Sequence, residues 1–441
     1  MLDRQRFTRI SVLALPIIGG MVSQNVLNLV DTAMVGFLGN AALAAVGIGG
    51  FALFMFQAII LGISTGVQAT AARRKGEGRH DETALPLNAG LMIVACVAPL
   101  WSAVLWFAIP WLYPYLNSDP EVIAQGVPYL QIRALAIVFI GMNFSFRGYW
   151  NAVDLSRLYM STIVTMHIAN IVLNYILIFG KFGAPALGVT GAGLASALST
   201  VIGTSVYFYL GLRHARAGGF LHGLPSRENI GSLVRLSIPN GVQHFFFAAG
   251  FTTLYWIIGR VGTVELAAAN VIMNVMLVGI LPGLGLGLAA TTLVGQALGR
   301  GDTLDASRWG WDVTKVAAVT MGLIGVPMWL VPDWILAGFI HDPVTMDVAR
   351  LPMRLVGITM VFEALGMIMM HALLGAGDTR RVMIVSVGMQ WLLFLPLAYL
   401  VGPLLGFGLL GIWLLQGIYR LAQASVFTVF WWRQGWAGIH V

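Results

Sequence analysis

The chain has 441 residues, of which 58% are hydrophobic and 10% charged, with a net charge of +7; an ordinary soluble protein is about 25% charged. That composition excludes a soluble globular domain. The positive balance does not describe a nucleic-acid binder, because the basic residues are scattered through short loops, and the single cysteine, Cys96, excludes an intramolecular disulfide and a cysteine metal cluster.

A bilayer core about 30 Å thick takes about 20 apolar residues per spanning helix. Gly, Pro and charge clusters divide the chain into twelve such pieces: 10–38, 42–71, 85–113, 122–152, 156–180, 187–213, 229–259, 265–298, 305–338, 344–374, 380–402 and 407–433. The first has an Arg-rich start but no small-residue cleavage site, so it reads as a helix and not as a signal peptide.

In segment 1, Gln24, Asn28 and Asp31 are spaced four and three apart and share one helical face. A charge at mid-bilayer costs roughly 2.5–3.5 kcal/mol on insertion scales, so Asp31 should face a cavity or partners. Desolvation opposes its charge and amide donors support it, which makes its ionisation tunable by conformation, as proton coupling requires. Pro16 and Gly19-Gly20 precede this face and permit either a hinge or a static kink.

Segment 2 places Gln57, Ser64 and Gln68 on one face, and segment 6 carries Ser196, Ser199 and Thr200; both sets could line a cavity, although close helix packing is the plainer reading. Segment 5 repeats the device of segment 1 with His167, Asn170 and Asn174. Asp31 and Asn174 lie at matched depth, about 10 Å from the ends of their segments, so the two faces can meet. His167 reads as a packing residue before a proton relay.

Shifting the chain by 223 residues aligns Pro16 with Pro239, Gly36 with Gly259, Gly39 with Gly262, and Gly76 and Gly78 with Gly299 and Gly301. Asp119-Pro120 meets Asp342-Pro343, and with one extra residue Asp154 meets Asp378. Six helices per half is an even number, so the repeat is parallel, with a pseudo-two-fold axis along the membrane normal and a central cleft between two six-helix bundles. The expected organisation is an all-α polytopic protein with lobes at 1–213 and 229–441, joined by a polar connector at 214–228 that can act as a hinge strap.

The second half is not chemically equivalent, because Leu254 stands where the first half has Asp31. Glu363 in segment 10, two turns before His371, is a second candidate for binding a cation. His244 and the Asn270/Asn274 pair are weaker candidates. Met360, Met367, Met369, Met370 and Phe245 to Phe247 offer adaptable surface for lipophilic cations, or ordinary core. Gly279, Gly283 and Gly287 form a stripe for close packing.

Arg4, Arg6, Arg9, the RRKGEGR turn at 73–79 and most other arginines fall on one side, which the positive-inside rule assigns to the cytoplasm, with both termini there. Lys181 and Arg260 are the exceptions.

The stretches LALPIIGGMVSQNVLNLVDTAMVGFLG, LNYILIFG, GVTGAGLASAL and LLGAGDTR together resemble the multidrug and toxic compound extrusion (MATE) family over essentially the whole chain. The resemblance implies two six-helix lobes that export organic cations and dyes in exchange for protons or sodium. It implies a coupling site at Asp31, Asn170 and Asn174, with Ser196 beside it. Together with the faces read from spacing, the coupling candidates are Asp31, Asn28, Asn170 and Asn174, and the substrate-cavity candidates are Gln24, Gln57, Gln68, Ser196, Glu363 and Met360. Asn174 stands where some relatives have Asp, which favours a proton over a sodium cage at Asp31. Glu363 matches an acid of the NorM branch while Phe247 replaces its helix 7 Glu, which favours the DinF-like branch. No cofactor is called for beyond the ion gradient. The expected setting is the bacterial inner membrane, the expected state a monomer, and the expected partners small-molecule drugs and the lipid bilayer.

The alternative within transport is a lipid-linked saccharide flippase, whose cleft needs several cations for a pyrophosphate; Arg133, Arg147, Arg350 and Arg354 keep it open. An intramembrane enzyme would need a nucleophile/base or metal cluster at one depth, and the chain has scattered histidines and no HExxH or GxSxG motif.

Overall fold

The computed structural model describes residues 3–439, and among them the fold is entirely helical. Twelve helical segments follow one another: α1 Arg4–Gly36, α2 Asn40–Gly76, α3 Leu85–Leu116, α4 in two pieces (Pro120–Leu135 and Ile137–Ala152), α5 Ser156–Phe179, α6 Gly188–His214, α7 Arg227–Val261, α8 in two pieces (Thr263–Gly279 and Leu281–Gly299), α9 Thr303–Leu330, α10 Pro343–Gly375, α11 Thr379–Leu404 and α12 Gly408–Trp432. These match the twelve pieces expected from the apolar runs to within a few residues, except the ninth, which ends at Leu330 and is followed by a separate short helix, Pro332–Leu336. Nine described helices are long and apolar enough to cross a membrane, and the two pieces of α4, bent by 47°, make a tenth when counted as one span. The chain is a multi-pass membrane protein.

The duplicated residues do the same local work in both halves. Asp119 caps α4 by accepting from the Glu121 N–H, and Asp342 caps α10 by accepting from Thr345, each followed by a proline at the first turn, where its missing N–H costs nothing. Gly78 and Gly301 leave α2 and α8 with φ of 76° and 75°, a left-handed turn that a side chain would strain.

Two compact units form. One runs Gly19–Gly241; the other takes the chain up to Ile18 together with the stretch from Val242 onward. The division falls inside α1 and α7, two residues beyond the aligned prolines Pro16 and Pro239. The sequence repeat, in contrast, changes over in the connector, so the repeat and the packing units divide the chain at different places.

Specific contacts explain why each first helix is shared. Arg6 holds Asp305 at 2.6 Å and Asp312 at 2.7 Å and lies over the Trp309 ring, while Arg9 bonds Gln296 at 2.6 Å. These bind the start of α1 to α8 and α9. In the other unit Arg74 bonds Asn229 at 2.6 Å, and Gly62 and Gly241 let α2 and α7 approach so closely that a Cβ on either would strike the other's backbone.

The connector is less free than a strap. Gly218 accepts from the Ala84 N–H, Asn88 bonds both Gly219 and Leu221, and the fully buried Phe220 fills a slot over Gly211 beside Phe146 and Phe208. Only residues 222–226 are left between this docked turn and α7.

Candidate functional site

The polar faces of α1 and α5 meet. The Asn174 amide nitrogen donates to Asp31 Oδ1 at 2.6 Å and to Asn170 Oδ1 at 2.9 Å; Asn170 in turn donates to Ser196 at 3.2 Å and Ser199 at 3.4 Å on α6. Asp31 is half-buried, whereas Asn170 and Asn174 are each 1% exposed, so a polar relay runs from the carboxylate into the interior of this unit. Buried amides of this kind hold their positions only while their donors are used. Asn174 Oδ1 is buried and unpartnered. An acceptor beside a carboxylate is suited to a proton or a cation arriving at Asp31.

One turn to two turns earlier, a second network joins the same helices. His167 meets Ser23 at 2.6 Å and Gln24 at 3.2 Å through its two ring nitrogens, and Gln24 donates to Asn28 at 3.2 Å. Gln24 and Asn28 are exposed. Asn28 therefore belongs with Gln24 and His167, and the direct partner of Asp31 is Asn174. Gln57 is half-buried and joins neither network, and Gln68 is fully buried where α2 packs against α4, next to Gly148.

Two residues that the spacing argument did not assign to this site lie beside it. Arg133 of α4 acts electrostatically on Asp31, and Tyr129, one turn earlier, interacts with both. Arg133 Nε is buried without a hydrogen bond. Tyr129 is held between Gly49 of α2, where a Cβ would strike its ring, and Gly193 of α6, where a Cβ would press against it. The available signal was the pair Tyr129/Arg133 at a four-residue spacing inside an apolar segment.

The second unit is built differently. Glu363 lies 3.5 Å from Arg420 Nε on α12, so its charge already faces a guanidinium. His371 bonds the Met367 carbonyl and packs into the notch of Gly287, and does not reach Glu363. Met360 is buried against Gly279 of α8 and also lines a hollow with Glu363, while the half-buried Met367 approaches Gly283 beside Met321. Asn274 bonds Asn270, which also accepts from Tyr255.

The MatE family model matches residues 16–176 and 239–400, one block in each half of the duplication. The chain is 28% identical over 419 residues to the probable multidrug resistance protein NorM of Thermotoga maritima, covering 91% of this chain and 87% of that one. It is 26% identical over 404 residues to the multidrug resistance protein PmpM of Pseudomonas aeruginosa, covering 90% and 84%. Among solved structures, a multidrug resistance MATE family transporter of the MOP superfamily in an outward-facing conformation superposes with a TM-score of 0.89 at 21% identity, covering 98% of this chain and 96% of that one. A MOP superfamily transporter from Pyrococcus furiosus gives 0.87 at 22% identity, covering 97% and 95%. With both halves of the duplication matched by one family and the twelve-helix fold shared along the whole chain, the protein belongs to the MatE family, the multidrug and toxic compound extrusion family that its sequence resembles.

Proposed function

We propose that the protein is a multidrug efflux antiporter of the bacterial inner membrane, with both termini in the cytoplasm, exporting lipophilic and cationic compounds in exchange for protons by alternating access. The observation that carries this reading is the carboxylate of Asp31, set in a membrane-spanning helix and held by one buried amide at the mouth of the Asn174–Asn170–Ser196 relay. An ionised Asp31 accepts from Asn174 and attracts a cationic compound. A proton arriving on Asp31 removes that charge, turns an acceptor into a donor beside the unpartnered Asn174 Oδ1, and releases the compound. Release of the proton on the less acidic side restores the binding state.

We favour this over a saccharide flippase because Arg350, one of the four cations that a pyrophosphate would draw on, is paired with Asp333 at 2.7 Å and Asp347 at 3.0 Å.

The test is dye efflux from everted vesicles under separately imposed proton and sodium gradients. The proton gradient alone should drive wild-type efflux, and Asp31→Asn, which mimics the protonated side chain, should reduce it to background. Efflux driven equally by sodium alone, or retained by Asp31→Asn, would overturn the coupling scheme.

A further inference from the structure

The outer faces of α5 and α6 end in two arginines that nothing in the fold neutralises. The two helices run antiparallel and in contact: Gly203 packs on Met166, Asn170 reaches Ser199, and Gly191 packs against the Leu177–Ile178 peptide. Carried toward the connector, that register sets Arg157, near the start of α5, level with Leu212 and Arg213 at the end of α6. Arg157, Val164 and Ile168 are spaced seven and four along α5, and all three are exposed; Ile202, Tyr209 and Arg213 repeat that spacing on α6 and are exposed as well. Each helix of this pair therefore shows an apolar stripe that meets acyl chains in a membrane and ends in a guanidinium at the same depth as its neighbour's.

Neither guanidinium has a counter-charge. Arg157 makes no hydrogen bond or ion pair among the described residues, and Arg213 donates only to the Tyr209 hydroxyl, at 3.4 Å. The nearest acid in sequence, Asp154, accepts from Lys75 at 2.9 Å. The aligned stretch of the other half is wired differently: Asp378 stands in the place of Asp154 and Arg381 in that of Arg157, and these two pair with each other at 3.1 Å. One Asp-x-x-Arg motif closes on itself. The other has its acid drawn to Lys75 and leaves its arginine to the surface.

Two like charges on adjacent helices repel, and an anion set between them reverses the sign of the interaction. We propose that Arg157 and Arg213 form a binding site for an anionic phospholipid, its phosphate held between the two guanidinium forks and its acyl chains lying along the Val164–Ile168 and Ile202–Tyr209 stripes. The stripes select a lipid over a soluble phosphate. The uncompensated pair of positive charges selects a headgroup of net negative charge over a choline or ethanolamine headgroup, whose own cation offsets its phosphate. Tyr209 supplies the amphipathic ring expected at headgroup depth. The site lies about 25 Å along α5 from Asn174 and does not depend on ion coupling; only the leaflet it meets follows from the orientation proposed above.

The test is native mass spectrometry of the purified, delipidated full-length protein, titrated with phosphatidylglycerol or with phosphatidylcholine of the same acyl chains, reading the apparent Kd of the first bound lipid. An arginine beside an anionic headgroup is worth about fivefold in affinity, so phosphatidylglycerol should bind about tenfold or more tightly than phosphatidylcholine. Arg157→Gln and Arg213→Gln should each weaken phosphatidylglycerol by about fivefold and leave phosphatidylcholine unchanged, and the double variant should erase the preference. Arg381→Gln, at the equivalent place in the other half, should keep it, and glycerol 3-phosphate in excess should not displace the lipid. No preference in the wild type, a preference that survives in the double variant, an equal loss in Arg381→Gln, or displacement by glycerol 3-phosphate would each overturn the proposal.

Discussion

Residues 24, 28 and 31 of α1 and residues 247, 251 and 254 of α7 occupy equivalent places 223 positions apart. They read Gln, Asn, Asp in one helix and Phe, Phe, Leu in the other. The first stripe is polar and bonded to α5. The second is aromatic, with Phe247 and Phe251 in edge contact at 4.9 Å between ring centroids and Leu254 5% exposed. A duplicated scaffold has kept its caps, turns and prolines and divided its chemistry: one unit has a carboxylate bonded to a buried amide relay, with Arg133 acting on it through space, and the other has a carboxylate in direct contact with a guanidinium.

Exchanging the stripes should break that comparison most severely. Asp31→Leu makes α1 read like α7 and should leave a folded protein whose gradient-driven dye efflux falls to background. The reciprocal Leu254→Asp buries a carboxylate among Phe251, Met273 and Met276. It should cost about 3 kcal/mol, the insertion penalty of a mid-membrane acid, seen as a melting temperature several degrees lower in detergent. A stable Leu254→Asp protein would mean that this hollow already tolerates a lone negative charge.

A smaller effect separates the carboxylate from its relay. Asn174→Ala leaves Asp31 in place but removes its 2.6 Å donor and the 2.9 Å bond to Asn170. A buried partner left unsatisfied costs about 1–3 kcal/mol, and efflux should fall by roughly tenfold while binding of a neutral lipophilic dye persists. Unchanged efflux would show that Asp31 works without the relay.

Next in size is a packing difference. Gly250 in α7 aligns with Leu27 in α1, which is buried, and a Cβ at Gly250 would fall on the Gln390 side chain of α11. Gly250→Ala should lower the melting temperature, and Gln390→Ala in the same protein should restore part of the loss, because the clash is with a side chain and not with backbone. Purely additive losses in the double variant would place the strain elsewhere.

Much of this was legible from spacing. The twelve segments follow from apolar runs because a membrane leaves a chain little choice but helices, and the Asp31–Asn174 contact followed from two faces of matched periodicity at matched depth. Two features were harder to read. The packing units cut through α1 and α7, which depends on long-range contacts such as Arg6 with Asp305 and Asp312 that no local pattern encodes. Met360 packs against Gly279 on α8 and also lines the hollow with Glu363, so composition alone could not tell core from cavity. Gln416, Arg420 and Gln423 repeat the four-and-three spacing of Gln24, Asn28 and Asp31 in α12, and the partner that makes Glu363 half of a pair was readable by the rule that exposed the first site.

The smallest expected effect concerns a feature the halves share. Asp119 and Asp342 both cap helices, but Asp342 accepts from the Thr345 N–H at 2.9 Å and from its hydroxyl at 2.7 Å, whereas Asp119 accepts from the Glu121 N–H at 2.9 Å. The Thr345 hydroxyl and backbone donors hold the Asp342 carboxyl below the usual Asp range. A depressed carboxylate contributes stability above its unfolded pKa and loses it as pH falls through the folded value. Asp342→Ala should therefore lower the melting temperature slightly at neutral pH, and the difference from wild type should vanish in acid. Asp342→Asn, which keeps a capping oxygen, should lie between the two at neutral pH. A deficit of Asp342→Ala that stayed constant down to pH 3, measured by intrinsic fluorescence on heating, would mean that the cap acts through shape and not through charge.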